Sequence, residues 1–230
     1  MIGIIGAMEV EVEALKAKMQ NVKIMERASM EFYQGTLEGK EVVIVRSGIG
    51  KVNAGICTQI LADVYQVEAV INTGIAGSLK NEINIGDIVL SKDALQHDMD
   101  CRHFGYDWGV IPQMKESVFL ADEKLRMLAK ECCKEVNPDI EVFEGRVVSG
   151  DQFISDKEKK EFLIQTYGGY CTEMEGAAIA QAAYLNQIPF LIIRAISDKA
   201  DDSAHMDYPE FEAKAAKHCV NLVEAICQKL

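Results

Sequence analysis

Basic charge is what this sequence lacks most: 24 lysines and arginines stand against 36 aspartates and glutamates, a net charge of −12. A nucleic-acid binder carries a basic stripe that neutralises phosphates. No such stripe is visible, and the KEKK run at Lys157–Lys160 reads as a solvated helix face. An acidic surface also argues against anionic membranes. No segment approaches the ~18 apolar residues that a bilayer-spanning helix needs. The first residues lack a basic region, a long apolar run and a small-residue cleavage site, so no signal peptide is expected. Prolines number four, and there is no Pro-, Ser- or Gly-rich linker, internal repeat or low-complexity tract. For 230 residues this favours one domain, 1–230. The seven cysteines are odd in number and form no CxxC pair. Most sit in apolar stretches, where cysteine behaves as a small hydrophobe. A disulfide framework is disfavoured and a reducing, cytoplasmic setting is expected.

Several motifs are also missing. His97, His103, His205 and His218 have no zinc-like spacing, and HDMD at His97–Asp100 reads as a polar loop, so no metal site is expected. GIGK at Gly48–Lys51 lacks the spacing of a phosphate-binding loop and reads as a turn before a helix. TGIAGS lacks the third glycine of GxGxxG and the acidic residue that should follow, which removes a dinucleotide site. No GxSxG nucleophile turn occurs, and no cysteine has the context of a nucleophile.

What is present is alternation. Apolar β-branched runs at Ile2–Ile5, Glu41–Arg46, Ala69–Asn72, Asp87–Lys92, Glu144–Ser149 and Phe190–Ala195 predict strands. Helical patterns at Glu9–Met19, Val52–Tyr65, Asp122–Glu135, Asp156–Thr166, Glu175–Asn186 and Pro209–Gln228 lie between them. The pattern implies an α/β fold with a mostly parallel sheet. The last helix carries an apolar stripe of Phe211, Ala215, Leu222, Val223, Ile226 and Leu230. The helix after Glu175 is apolar all round and is expected to be buried or closely packed. Ligands in such sheets sit beyond the carboxyl ends of the strands. The segments expected there are GAMEVE, SGIGKVN, NTGIAGS, SGDQF and AISDKAD.

Three of these neighbourhoods carry acids. At ~100° per residue, Glu11 lies about 70° from the centre of the Met8, Val12, Leu15 and Met19 arc, Glu9 about 90° and Glu13 about 130°. Glu11 is thus nearest the buried face, although all three also complement the helix dipole. Glu173 and Glu175 precede the apolar helix, where the dipole should keep a carboxylate ionised; simple capping explains them equally well. Asp198 follows Ser197 after the final predicted strand, and Arg194 inside that strand must be paired or face a cleft. Several acids, no basic cradle and apolar walls of Met8, Ile49, Phe153 and Met174 suit a neutral or cationic ligand. They also suit a reaction that develops positive charge, such as glycosidic cleavage through an oxocarbenium-like transition state.

At these residues the chain resembles the 5′-methylthioadenosine/S-adenosylhomocysteine nucleosidases of the purine nucleoside phosphorylase superfamily. The resemblance runs nearly end to end, through IGIIGAMEVEVE, SGIGKVNA, NTGIAG, GDIV, HD, FGY, SGDQF, EMEGAAIA, RAISD and the closing amphipathic helix. It implies a nucleoside phosphorylase-like fold, a mixed, mostly parallel central sheet flanked by helices. It implies hydrolysis of the N-glycosidic bond, releasing adenine and a 5′-thio-substituted ribose for methionine salvage, with no cofactor. By resemblance Glu11 activates water, Asp198 protonates adenine N7 and Glu175 grips the ribose hydroxyls. Met174 lies against the ribose, Phe153 stacks on adenine, the Ile154 backbone reads the base edge, and Ala76 and Gly77 line the base pocket. Met8, Ile49 and Tyr208 surround the alkylthio group, and Glu173, Arg194 and Ser197 are further residues expected at the substrate. The only small-molecule partners implied are the nucleoside and water. The family's dimers further imply a homodimer whose partner closes the site through HFGYDWGVIP, with Phe104 and Pro112. Ile75, Ser78 and Tyr208 depart from the commoner Ser, Gly and Phe, which bears on substrate preference. An aminofutalosine hydrolase, a phosphorylase and a non-catalytic nucleoside-binding module are the alternatives.

Overall fold

Two tight turns build one edge of the sheet. The computed structural model describes residues 1–201 and 204–230, the side chains of 205–210 excepted. Strand β1 (Ile2–Gly6) and helix α1 (Glu9–Lys18) lead into β2 (Gln20–Arg27), β3 (Met30–Leu37) and β4 (Lys40–Arg46). Ala28 and Ser29 join β2 to β3, and Glu38 and Gly39 join β3 to β4, all four at positive φ. Two positive-φ residues in a two-residue loop match the right-handed twist of the paired strands. The sequence reading has no element over 20–37: β2 is exposed along its whole length and so has no alternation to read. Ala28-Ser29 also lacks the Asn-Gly or Asp-Gly signature of such a turn.

The rest of the chain alternates. It continues through α2 (Lys51–Asp63), β5 (Ala69–Ser78), β6 (Ile88–Gln96), β7 (Phe119–Leu120), α3 (Glu123–Val136) and β8 (Val142–Ser149). It ends with α4 (Lys157–Tyr167), β9 (Cys171–Glu173), α5 (Gly176–Leu185), β10 (Phe190–Asp198) and α6 (Ala204–Lys229). Asp122 and Asp156 cap α3 and α4 by accepting from Leu125 N and Lys159 N, and Gly168 closes α4 in the left-handed conformation. Helix α6 starts before the predicted Pro209. Ala215, Leu222, Val223 and Ile226 of its stripe are buried, whereas the terminal Leu230 is exposed.

Strands β4, β1, β5 and β10 pair in parallel in that order. The sheet then curls on itself: β10 pairs β6 antiparallel, β6 and β8 pair in parallel, as do β8 and β9, and β9 returns antiparallel to β5. The sheet is therefore mixed, with antiparallel pairings at the hairpin edge and where the ring closes. That closure explains a difference from the sequence reading. NTGIAGS and the Ser197–Asp198 pair are strand residues, because β5 and β10 run past the centre of the sheet to reach β9 and each other, with Gly77 opposite both Thr172 and Asp198. Helix α5 is buried from Gly176 to Ala180 and at Ala183, as its apolar first half requires, while Tyr184 and Leu185 at its end are exposed. Among the described residues no helix is long and apolar enough to cross a membrane.

Candidate active site

Gly6 ends β1, and Ala7 and Met8 turn the chain into α1. Glu11, one turn into the helix, folds its side chain back over that turn. Its Oε2 accepts from Ala7 N at 2.6 Å and Met8 N at 2.9 Å, and its Oε1 accepts from Ile75 N of β5 at 3.1 Å. Glu9 instead pairs with Lys16 on the surface and Glu13 is exposed. Burial pushes the Glu11 carboxyl above the usual range, against the opposing pull of Arg194 and three backbone N–H groups.

Glu173 and Glu175 divide the roles that the sequence left open between them. Glu173 is the cap of α5: its Oε2 accepts from Glu175 N at 3.1 Å and Gly176 N at 2.7 Å, and it also holds the Arg194 guanidinium and the Ser149 hydroxyl. Glu175 turns away from its own helix. Its Oε1 accepts from Gly50 N at 2.9 Å, and its Oε2 lies 3.6 Å from Arg194 Nη2. The expectation that the helix dipole keeps Glu175 ionised is corrected here. Burial, and then the Glu173 carboxylate, raise it to about 7, because a surface-scale dipole effect is smaller than the penalty for stripping water from a charge.

Arg194 is fully buried in β10, opposite Gly74 of β5. It donates to Asn72 Oδ1 at 2.5 Å as well as to Glu173. Burial alone would lower its pKa, but Glu173, Glu175 and Glu11 outweigh that and drive it upward, so it stays a cation. A Cβ on Gly74 would overlap the guanidinium and the Glu11 carboxylate, so glycine is required where these groups converge. Arg194 stands behind the cavity wall, not in it.

Asp198 ends β10. Its Oδ2 accepts from Ser197 Oγ and its Oδ1 from Ala200 N, both at 2.8 Å. A Cβ on Gly77 would come within 2.8 Å of Asp198 Oδ1, so a second glycine makes room for an acid.

Glu11, Glu175 and Asp198, from three distant stretches of sequence, line one cavity of about 480 Å³. Met8, Ile49, Ala76, Gly77, Phe153, Glu173, Met174 and Ser197 line it as well. An inner recess brings Asp198 together with Gly77, Phe153, Ile154, Thr172, Glu173 and Met174, without Glu11 or Glu175. The sequence reading omits two wall residues, Ala7 and Thr172. Thr172 belongs to a strand of three residues, too short for any periodicity to reveal. Phe104 is 77% exposed and Pro112 half-buried, and neither lines the cavity. The Tyr208 side chain lies outside the described residues. Among the described residues no cluster of three or more His, Cys, Asp or Glu side chains could hold a metal.

A curled α/β sheet that gathers several acids and, among the described residues, no lysine or arginine around one largely apolar cavity suits a small neutral or cationic ligand. The phosphorylase superfamily model matches residues 1–228. A 5′-methylthioadenosine/S-adenosylhomocysteine nucleosidase of Halalkalibacterium halodurans is 44% identical, covering 100% of this chain and 98% of the relative. The crystal structure of the Neisseria meningitidis nucleosidase in complex with methylthio-immucillin-A superimposes with a TM-score of 0.95 at 38% identity, covering 100% of this chain and 99% of that one. A futalosine hydrolase from Helicobacter pylori has a TM-score of 0.94 at 32% identity, covering 100% and 97%. The chain belongs to the phosphorylase superfamily, and within it to the 5′-methylthioadenosine/S-adenosylhomocysteine nucleosidases.

Proposed function

We propose that this protein hydrolyses the N-glycosidic bond of 5′-methylthioadenosine and S-adenosylhomocysteine, with residues 1–230 acting as one nucleosidase domain. Adenine lies at the Asp198 end of the cavity, beside Phe153 and the Ile154 backbone. Asp198, oriented by Ser197 Oγ and Ala200 N, gives a proton to N7 as the base departs. The ribose lies toward Met174, with its hydroxyls on the Glu175 carboxylate. Glu11 takes a proton from water as that water attacks C1′. The 5′ substituent points along Met8 and Ile49 toward the mouth, and Arg194 acts from behind the wall by holding Glu173 and Glu175 in place. The products, adenine and a 5-thio-substituted ribose, suit a reaction sequence that recovers methionine.

The observation that carries hydrolysis over phosphorolysis is the seat of Glu11. A helix N-terminus offers free N–H groups to an anion. Here the protein's own carboxylate takes Ala7 N and Met8 N, leaving an acid where an incoming phosphate would have to stand. Incubation with methylthioadenosine, with and without phosphate, tests this. Adenine and methylthioribose should form at the same rate in both. A phosphate-dependent rate with ribose-1-phosphate chemistry would overturn the reading. Aminofutalosine in the same panel checks the 5′ preference.

We propose further that the enzyme is a cytoplasmic homodimer. Val52 and Ile56 project from one exposed face of α2, next to Ile49 at the cavity mouth, and Phe104 and Leu185 are also exposed. Apolar surface of this kind marks protein contacts. All seven cysteines are free, in keeping with a reducing compartment. Light scattering should give twice the chain mass, and Phe104→Ser should weaken substrate binding if the partner closes the site.

A further inference from the structure

Lys51 of GIGK, Asp98 of HDMD and Asp151 of SGDQF each have no place in the chemistry above. In the structure they meet. Lys51 N donates to Asp151 Oδ1 at 2.8 Å, Asp151 N donates to Asp98 Oδ2 at 3.0 Å, and Lys51 Nζ donates to Asp98 Oδ1 at 2.6 Å. The three residues thus form a closed ring of polar contacts. Lys51 Nζ also reaches Gln96 Oε1 at 3.0 Å, which ties the ring to the end of β6.

The ring joins the two segments that form the lips of the cavity. On one side the turn before α2 carries Ile49 and Gly50, and Gly50 N holds Glu175. On the other, the segment after β8 carries Phe153, which belongs to both the cavity and its inner recess. Ile49 and Phe153 are each about half exposed, so packing alone does not fix them. Gly50 is at φ +96°, and a Cβ there would approach Asp151 Oδ1 at 3.1 Å. The turn is therefore shaped to let the opposing carboxylate come close.

We infer that Lys51, Asp98 and Asp151 are positioning residues that clamp the Ile49 lip to the Phe153 lip and so set the affinity of the site for its nucleoside. The Asp98–Lys51 pair is mostly buried. Burial would raise the Asp98 pKa, but the Lys51 and Asp151 N–H contacts prevail and hold it below the usual range, so the clamp keeps its charge across neutral pH. The inference rests on the nucleosidase reading.

The test compares wild type with Lys51→Met, Asp98→Asn, the double variant and Lys51→Arg. KM for methylthioadenosine and calorimetric Kd for methylthio-immucillin-A are measured alongside kcat and Tm. Loss of one charge-assisted contact should raise KM and Kd about tenfold, with kcat within about threefold of wild type. The double variant should be no worse than either single one, because both open the same ring. Lys51→Arg should restore most of the affinity. Should Asp98→Asn fail to fold, Lys51→Met, which keeps the aliphatic stem, decides alone. KM and Kd unchanged in Lys51→Met, a fall in kcat without a rise in KM, or additive losses in the double variant would each overturn the clamp. Absence of turnover by wild type would sink the nucleosidase reading instead, and the inhibitor titration would still judge the ring.

Discussion

Replacing Glu175 with glutamine should make the protein more stable than wild type at pH 8 and leave it close to wild type at pH 5. Burial, and then the neighbouring Glu173 carboxylate, lift the Glu175 carboxyl from 4.5 to about 7 in the folded chain. The unfolded chain releases that proton near 4.5. Between these values the folded state binds more protons than the unfolded one, so stability falls as pH rises. The contribution is fully present below about pH 4.5 and lost as pH passes through about 7. Glutamine mimics the protonated acid at every pH, still accepts from Gly50 N, and has no proton to lose. At ~1.4 kcal/mol per pH unit the interval amounts to about 3 kcal/mol. The attraction of Arg194, 3.6 Å away, is already contained in that figure.

About three quarters of that interval falls between pH 5 and pH 8, and in a chain of this length about 1 kcal/mol moves Tm by about 2–4 °C, so the gap between variant and wild type should widen by roughly 5–10 °C over that range. Calorimetry of both proteins at four pH values across that range provides the measurement. Only the change in the gap matters, since any pH-independent packing effect of the amide cancels. A gap that stays flat, or that closes as pH rises, would refute the reasoning, because it would mean that Glu175 is already ionised at pH 5. The same titration bears on catalysis: a carboxylate that must accept from a diol works only when ionised, so kcat/KM for wild type should fall on the acid side of about pH 7.

The other predictions concern the remaining charged groups. Asp198→Asn cannot donate a labile proton and should lower kcat at least ~100-fold in an adenine-release assay. Glu11→Gln keeps a neutral acceptor for the turn above α1, so it should lose turnover yet still bind methylthio-immucillin-A in a calorimetric titration. Arg194→Met leaves Glu173 buried without its cation and should lose about 3–5 kcal/mol in denaturant unfolding; adding Glu173→Gln should recover part of that loss.

The sequence made the alternating elements legible because buried parallel strands read as unbroken apolar runs, as at Phe190–Ile193 and Ala69–Ile71. It hid β2 because an edge strand with no buried face has no pattern, and β9 because three residues have no period. It marked Glu11 correctly as the acid nearest the buried face, but a helix wheel has no means of showing that the carboxylate would turn back onto Ala7 N and Met8 N. Arg194 was legible as a charge in need of a partner. That its partners would be Asn72 and Glu173 depended on the parallel register of β5 and β10 and on the closure of the ring through β9. The fit of Lys51, Asp98 and Asp151 was least legible of all, since 47 residues separate the first two and 53 the last two and no periodicity links them.

The charge balance around the ribose end gives a reason for one fold to favour water over phosphate. Arg194 supplies one positive charge to three carboxylates, those of Glu11, Glu173 and Glu175. With all three ionised the cluster would be short by two positive charges, and the upward shift of the Glu175 carboxyl answers part of that shortage. A sugar ring that becomes cationic as the heterocycle leaves supplies the missing charge at the transition state and not before. At about 4 Å and an effective dielectric constant of about 20, each added unit charge interacts with a carboxylate by about 4 kcal/mol. The same interaction that favours the cation therefore opposes a phosphate dianion at the same place by a comparable or larger amount. Making room for phosphate would require replacing Glu11 with a neutral or basic residue, which would also free the N–H groups of the turn that Glu11 now occupies.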